Sequence, residues 1–130
     1  MASVRDQGLL ELLGRLVSVD ECGEIRELWK KHSIAEDQRS LDGLISTLTE
    51  DCVYIMPQTG NVWSGHSGAR QFYTELLTAF PDVHFDLLDI VIGPQGVCEE
   101  ASVTATHSGQ WLKFPATKRH LQFKVIIFFP

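Results

Sequence analysis

A single apolar stripe in the middle of the chain constrains the fold more than any other feature of the sequence. Between Ser67, a candidate N-cap, and Pro81, which ends the pattern, apolar residues recur at the spacing of an α-helix. The stripe consists of Ala69, Phe72, Tyr73, Leu76, Leu77 and Phe80. A helix this apolar along one side must pack on a large apolar surface. The sequence therefore predicts a long helix that covers one face of a sheet.

Beyond Pro81 the hydrophobic period changes from that of a helix to that of a strand. Apolar and polar residues alternate over 83–92, 97–107 and 121–129. The sequence Gly93-Pro94-Gln95-Gly96 has the composition of a tight turn. These segments predict an antiparallel sheet with a hairpin between its first two strands. A loop and a short strand are predicted over 110–119.

The first half of the chain has helical patterns instead. Helices are predicted over 6–18 and 24–37 with a break at 20–23, Ser40 is a candidate N-cap for a third short helix, and 52–56 is a predicted strand. Because helices come first and strands later, the predicted class is α+β, with N-terminal helices and one long helix packed on a curved antiparallel sheet. Such a half-open cone has an apolar interior that suits a small molecule.

Composition limits the classes of partner. The 130 residues carry a formal net charge of −6 and are 44% hydrophobic, which fits one folded domain and offers no attraction to nucleic acid or anionic lipid. The longest apolar run, 125–129, is far shorter than a membrane helix. Three cysteines without C-x-x-C spacing argue against a disulfide framework and for a reducing, cytoplasmic location. We therefore predict no nucleic-acid partner and no membrane partner.

Four short motifs follow one another in a characteristic order and spacing. They are Trp63-Ser64-Gly65-His66, Phe80-Pro81-Asp82-Val83-His84-Phe85, Thr106-His107-Ser108-Gly109 and Pro115-Ala116-Thr117-Lys118-Arg119. With these motifs the chain resembles the SnoaL-like polyketide cyclases of the nuclear-transport-factor-2-like superfamily. The resemblance divides the chain into an N-terminal helical extension, 1–22, and a SnoaL-like domain, 23–130.

The resemblance implies a conical α+β fold and a homodimer that packs through the outer face of the sheet. Characterised members of the family close a ring on a polyketide ester by an intramolecular aldol condensation, without cofactor or metal. The resemblance therefore implies a small apolar or aromatic ligand, no cofactor, and an ester or polyketide cyclase or an isomerase. A non-catalytic ligand-binding or dimerisation module on the same fold is the alternative.

The chain departs from the family pattern at two places. Lys118 stands where the family has glycine in its P-x-T-G-R motif. The last strand of the family, which carries the proposed acid–base aspartate, would lie beyond Pro130 and is missing from this sequence. In the more distant ketosteroid isomerases, the catalytic aspartate and the oxyanion-hole tyrosine align with Met56 and His32. A thioether cannot abstract a proton, which argues against steroid-isomerase chemistry.

Three residues are candidates for the proton transfers of a ring closure, which needs a base and an oxyanion donor. His107 lies on the apolar side of its predicted strand, although Glu99 interrupts that side near the turn, where the sheet is expected to be exposed. His32 lies on the apolar stripe of its helix, one turn from Trp29, and Tyr54 could offer a hydroxyl. The alternative for each is a structural role, as a histidine bonded to backbone, a helix-end histidine or a packing tyrosine.

Aromatic and apolar residues are the candidates for the substrate pocket. The predicted set is Trp63, Tyr73, Trp111, Met56 and Phe114. The two tryptophans lie in or near loops, which predicts a place at the pocket mouth. The alternative is that several of the aromatic residues simply belong to the core.

Other titratable residues are weaker candidates. Asp89 shares a predicted strand face with Phe85 and is an alternative base, although a solvated carboxylate is the simpler interpretation. His66, His84 and His120 have no metal-ligand spacing, so no metal site is predicted.

Overall fold

Residues 4–130, which the computed structural model describes, form four helices and five strands. The helices are α1 (Val4–Gly14), α2 (Val19–Asp37), α3 (Leu41–Ile45) and α4 (Gly65–Ala79). The strands are β1 (Val53–Met56), β2 (Asn61–Ser64), β3 (His84–Gly93), β4 (Gly96–Thr106) and β5 (His120–Phe129). The predicted α+β class is confirmed. Across these residues, no helix is both long enough and apolar enough to cross a membrane.

The three long strands form one antiparallel sheet in the order β3-β4-β5, and β1 pairs with β2 in a separate hairpin. Gly93 pairs with Gly96, so Pro94 and Gln95 form the tight turn that was predicted. Gly96 has a φ of +119°, which is open mainly to glycine. Buried and half-buried residues alternate along β4. We call the side of the sheet that carries Val97, Glu99, Ala101, Val103 and Ala105 the inner face, and the opposite side the outer face.

The second helix begins at Val19, and the predicted break at 20–23 was wrong. Ser18 is the N-cap, and its side chain accepts a hydrogen bond from the Glu21 backbone N–H at 3.1 Å. Asp20 and Glu21 lie in the first turn, where negative charge interacts favourably with the helix dipole. The polar residues that suggested a break therefore start the helix. α1 correspondingly ends at Gly14 and not near residue 18.

The long helix begins at Gly65 and not at the predicted N-cap Ser67. Ser64 occupies the N-cap position, and the Gly65 N–H donates to the Cys52 carbonyl at 2.6 Å, which ties the start of the helix to the chain entering β1. Phe80 is the C-cap, so the predicted end before Pro81 is confirmed.

A β-bulge in β3 reverses the side-chain alternation of that strand. Leu87 pairs with Ala101 and Asp89 pairs with Glu100, so Leu88 is an extra residue. Asp89 is therefore exposed on the outer face, and its predicted place on the same face as Phe85 was wrong. One inserted residue moves every following side chain to the opposite face, which a simple period of two cannot anticipate.

Two helices divide the inner face between them. Leu77 and Phe80, at the end of α4, pack against a buried cluster of Val83, Val103 and Ala105. The rest of α4 packs on β1, β2 and α3, whereas α2 lies against β3 and β4. One helix covering a whole face was the prediction; the structure uses two.

Gly68 allows α4 to approach β2 closely. A Cβ at this position would lie 2.7 Å from the backbone carbonyl carbon of Trp63. We expect Gly68→Ala to lower the free energy of unfolding by about 1–3 kcal/mol, the usual cost of overpacking. Gly23→Ala is the control, because this helical glycine has no atom of the described chain within 4 Å of such a Cβ. It should raise the free energy of unfolding by about 0.5–1 kcal/mol.

Urea denaturation of the two variants and the wild type measures both effects. A G68A protein as stable as the wild type would contradict the close approach of α4 to β2.

Candidate active site

A cavity of about 160 Å³ lies between α2 and the inner face of the sheet. Its lining consists of Trp29, Ser33, Glu36 and Asp37 from α2, Phe85 and Leu87 from β3, and Glu99 and Ala101 from β4. Three of these side chains carry carboxyl groups. The interior expected from the sequence was apolar, whereas this cavity combines apolar and acidic side chains.

Glu99 is buried on the inner face, with 8% of its surface exposed. The exposed position predicted for it was wrong, because α2 covers this end of the sheet. The Trp29 indole N–H donates to Glu99 Oε2 at 2.7 Å. Burial raises the pKa of Glu99, and the hydrogen bond from Trp29 opposes this rise. The carboxyl is thus held in place from α2 while it lines the cavity.

Glu36 brings a second carboxyl with an unusual pKa into the same cavity. Burial, followed by the negative charges of Glu99 and Asp37, raises the pKa of Glu36 from 4.5 to about 7, although the long hydrogen bond from Tyr73 and the charge of Arg39 oppose this. A carboxyl with a pKa near 7 is present both with and without its proton at neutral pH. The cavity therefore contains a group that can act as an acid or as a base.

A chain of hydrogen bonds connects Glu36 to the interior of the protein. Tyr73 Oη lies 2.9 Å from His32 Nε2 and 3.1 Å from Tyr54 Oη. It also makes a longer contact of 3.5 Å with Glu36 Oε2. On the other side of the imidazole, His32 Nδ1 lies 2.6 Å from Thr47 Oγ1. The structure thus joins three of the predicted site residues, His32, Tyr54 and Tyr73, in one network.

Burial sets the protonation of this network. It lowers the pKa of His32 to about 4, so the imidazole is neutral at pH 7. It raises the pKa of Tyr54 to about 12, so the hydroxyl keeps its proton. His32 has both ring nitrogens occupied by hydrogen bonds. Both residues are placed as hydrogen-bond partners, and a direct role for either in catalysis stays a prediction.

A row of aromatic rings leads from this network to His107. Successive ring centroids are between 4.9 and 6.2 Å apart. The row runs through Tyr54, Phe72, Trp111, Phe80 and His107. Trp63 packs edge-to-face on Phe72, with the two ring centroids 5.0 Å apart. It is buried in β2, so the pocket-mouth position expected for it was wrong.

His107 is buried at the far end of the inner face, with 6% of its surface exposed. Its Nδ1 lies 3.1 Å from Thr117 Oγ1, and its ring stacks on Phe80. Among residues 4–130, no group forms a hydrogen bond with His107 Nε2. Glu99 and His107 lie near opposite ends of the same extended segment, roughly 25 Å apart at ~3.3 Å per residue. The cavity beneath α2 and the surroundings of His107 are therefore two separate places.

Lys118 lies beside His107 and explains why glycine suits this position of the family motif. Its φ is +59°, a conformation that glycine adopts without strain. Its backbone N–H donates to the His107 carbonyl at 2.9 Å, and its Nζ donates to the Ser108 carbonyl at 2.6 Å. The lysine thus has a conformation that glycine adopts without strain, and its side chain adds a hydrogen bond to the same loop.

None of the five predicted pocket residues is part of the cavity lining. Met56 is half-buried in β1 opposite Asn61, and Phe114 is half-exposed, with Lys113 Nζ 5.7 Å from its ring centre. Their role in binding stays a prediction, as does that of Trp63, Tyr73 and Trp111. Within the described range 4–130, no three or more histidine, cysteine, aspartate or glutamate side chains are arranged to hold a metal ion.

Glu36 and Thr47 were not predicted from the sequence as site residues, and Glu99 was predicted only as an interruption of the apolar face. A signal for Glu36 was present, because it follows the candidate His32 by one helical turn and so lies on the same side of α2. No local signal marks Thr47, whose contact with His32 comes from the packing of α2 against the segment after α3.

Glu36 should make stability depend on pH with a definite sign. Its pKa is about 7 in the folded protein and 4.5 ordinarily, so the unfolded chain ionises first as the pH rises. The stability contributed by the neutral carboxyl is therefore fully present below pH 4.5 and is lost as the pH rises through about 7. Glu36→Gln removes this loss. We expect the variant, relative to wild type, to gain about 3 kcal/mol between pH 4.5 and pH 8.

Urea denaturation at the two pH values measures this gain. Glu27→Gln, an exposed position on the same helix, controls for the exchange of glutamate for glutamine. An effect of E36Q that is equal at both pH values would contradict the raised pKa.

Comparison with known proteins identifies relatives of this fold. A sequence model of the family described as SnoaL-like polyketide cyclase matches residues 23–130. AclR from Streptomyces galilaeus, a candidate hydroxylase, superposes with a TM-score of 0.66 at 24% identity, covering 81% of this chain and 65% of AclR, just under two thirds of that protein. IdmH from Streptomyces antibioticus, a candidate polyketide cyclase, superposes with a TM-score of 0.63 at 20% identity over 78% of each chain. No curated protein matches.

A further solved structure is that of TerC co-crystallised with polyporic acid, with a TM-score of 0.60 at 14% identity over 82% of each chain. A nuclear-transport-factor-2-like protein from Burkholderia pseudomallei superposes with a TM-score of 0.65 at 14% identity, over 78% of this chain and 76% of that one. At such identities the superpositions establish the fold alone, and the last one confirms the predicted fold. The family match, in contrast, spans most of the chain. The protein therefore belongs to the SnoaL-like polyketide cyclase family.

Proposed function

We propose that this protein binds a small apolar or aromatic ester at the cavity beneath α2 and transforms it by cofactor-independent acid–base chemistry, as an ester or polyketide cyclase or as an isomerase. The observation that carries the proposal is Glu36, a carboxyl with a pKa of about 7 that lines a cavity in a member of a cyclase family. A general acid or base works best when its pKa lies near the operating pH. In this proposal Glu36 transfers the proton.

Ring closure of a polyketide ester needs two proton transfers. In the first, the ionised Glu36 carboxylate removes a proton from the carbon next to the ester carbonyl, and the resulting enolate carbon attacks a ketone of the same molecule. In the second, the protonated carboxyl returns the proton to the alkoxide oxygen that this attack creates. One carboxyl can serve both steps, because a pKa near 7 makes either form accessible at neutral pH.

The size and charge of the cavity favour an ester as the group that enters it. Its volume of about 160 Å³ is below the ~300–1,000 Å³ of typical ligand clefts, so it suits the reacting end of a larger ligand. Glu36, Asp37 and Glu99 would repel a free carboxylate at close range. Trp29 adds an aromatic surface for an apolar ring. The co-crystal of TerC with polyporic acid supports a small organic ligand for this fold.

His107 is the second candidate for proton transfer. Its buried Nε2, which has no partner among residues 4–130, could bond to a ligand. The separation of His107 from Glu36 means that a small substrate meets one of them, not both. We therefore treat Glu36 and His107 as two alternative centres, which variants can distinguish.

A non-catalytic ligand-binding or dimerisation module is the second candidate function, and one surface favours dimerisation. On the outer face, Val91 and Phe128 flank Cys98 from the two neighbouring strands, and Ile126 lies next to them. Val91, Ile126 and Phe128 are exposed. Exposed apolar patches commonly mark interaction sites. We propose a homodimer that packs through this patch.

We also place the protein in the cytoplasm. Its three cysteines, Cys22, Cys52 and Cys98, are free thiols. Free thiols of this kind are typical of a reducing compartment.

Glu36→Gln should lower the turnover of an aromatic polyketide methyl ester by about 10²-fold or more, as expected for the loss of a general acid–base group. The absorbance of the ring-closed product gives the rate. Glu27→Gln, on the exposed side of the same helix, is the matched control and should keep the wild-type rate. His107→Gln is measured beside them. A loss of rate in H107Q together with full activity in E36Q would assign the proton transfer to His107, and binding of the ester without turnover would favour the non-catalytic module.

Ile126→Lys should convert the proposed homodimer into a monomer, because it would place a charged side chain at an apolar contact. Gln122→Lys lies on the same face of β5 outside the patch and should leave the dimer intact. Size-exclusion chromatography with light scattering measures the mass of each protein. A monomeric wild type would rule out the homodimer.

A further inference from the structure

The Thr47 hydroxyl has one hydrogen and two neighbours that could receive it. The Leu44 carbonyl oxygen lies 2.6 Å from Thr47 Oγ1 and can only accept. His32 Nδ1 lies at the same distance and can either donate or accept. If Thr47 donated to His32, the lone pairs of Thr47 and Leu44 would face each other at 2.6 Å. The hydrogen therefore goes to Leu44, and Thr47 accepts the N–H of His32 Nδ1.

This hydrogen on Nδ1 determines what the other nitrogen of the ring can do. His32 is buried and neutral, so it has a single ring hydrogen, and Nε2 must accept. The donor is Tyr73, whose Oη lies 2.9 Å away. Tyr73 has one hydrogen, which it can donate either to His32 Nε2 at 2.9 Å or to Glu36 Oε2 at 3.5 Å. Because the nearer acceptor takes it, the hydrogen bond that would stabilise an ionised Glu36 carboxylate stays weak.

We propose that Thr47 is a positioning residue for the Glu36 site: acting through His32, it directs the hydrogen bonds so that Tyr73 donates to His32 and not to Glu36, which favours the protonated form of this carboxyl. The inference rests on the proposed function, in which Glu36 transfers the proton. The other charged groups that face Glu36 are Glu99 on β4, Asp37 on α2 and Arg39 just after that helix. A substitution of Thr47 alters none of these three charged side chains.

Loss of the Thr47 hydroxyl should reverse the direction of the hydrogen bond between Tyr73 and His32. With no acceptor at Nδ1, the ring hydrogen of His32 can move to Nε2, where it is donated to Tyr73. The Tyr73 hydrogen is then free to point at Glu36 Oε2, which stabilises the ionised carboxylate. The pKa of Glu36 should therefore fall, although Thr47 and Glu36 are joined only through two other side chains.

Two variants distinguish the effect of the Thr47 hydroxyl from the effect of the side chain's volume. Thr47→Val removes the hydroxyl at nearly constant volume, and Thr47→Ser keeps it. With ¹⁵N-labelled histidine, NMR shows which ring nitrogen of His32 carries the hydrogen. Wild type and T47S are expected to have it on Nδ1, and T47V on Nε2 or on both in exchange. A ¹³C NMR titration should give a Glu36 pKa lower by about 1 in T47V alone, a tenfold change in the ionisation constant, as for the gain of a hydrogen bond to a charged group.

A wild-type His32 with its hydrogen on Nε2 would overturn the inference, and so would a Glu36 pKa that is equal in all three proteins. If T47V does not fold, the tautomer in wild type and T47S still decides. These measurements need no substrate. Their failure is therefore distinct from a failure of the proposed function, which appears as unchanged turnover in E36Q.

Discussion

The packing of α2 against the hairpin end of the sheet is the contact on which the candidate site depends. Across this contact, the Trp29 indole donates to Glu99 at 2.7 Å, and the cavity with Glu36 lies beside it. Burying a carboxyl is costly unless a hydrogen bond compensates, and Trp29 supplies one. Without α2 in this position, Glu99 would be solvated on an open sheet and Glu36 would be an ordinary surface carboxyl on a helix.

The network around Tyr73 joins two buried groups that respond to pH in opposite directions. Burial raises the pKa of Glu36 and lowers that of His32. The stability from neutral Glu36 is lost as the pH rises towards 7, whereas that from neutral His32 is present above pH 6.5 and is lost as the pH falls towards 4. Between about pH 4 and pH 7 the effects of Glu36 and His32 on the stability of the protein therefore partly cancel. In this pH range both groups are mainly uncharged. They lie one helical turn apart and share Tyr73 as a partner.

Several features of this site were predictable from the sequence, and the failures have a common origin. His32 and Tyr73 lie on apolar helix faces, and the structure buries both. Asp89 was misplaced because Leu88 is an extra residue, a change of register that depends on pairing with β4. Glu99 was expected to be exposed because nothing in its own strand reveals that α2 lies above it. In each failure the deciding partner is distant in the sequence.

The sequence by itself determined the class of fold, the order of the helices and of the strands other than β2, and the family. Hydrophobic period, caps and turns act between near neighbours in the chain, so the chain reveals them directly. Only the tertiary structure decided that Glu36 and Glu99 share a cavity, that Thr47 bonds to His32, and that His107 lies far from both. These relations set the charge and the pKa of each group through desolvation and through contacts between elements. Desolvation and these contacts depend on distances in space, which no local sequence pattern contains.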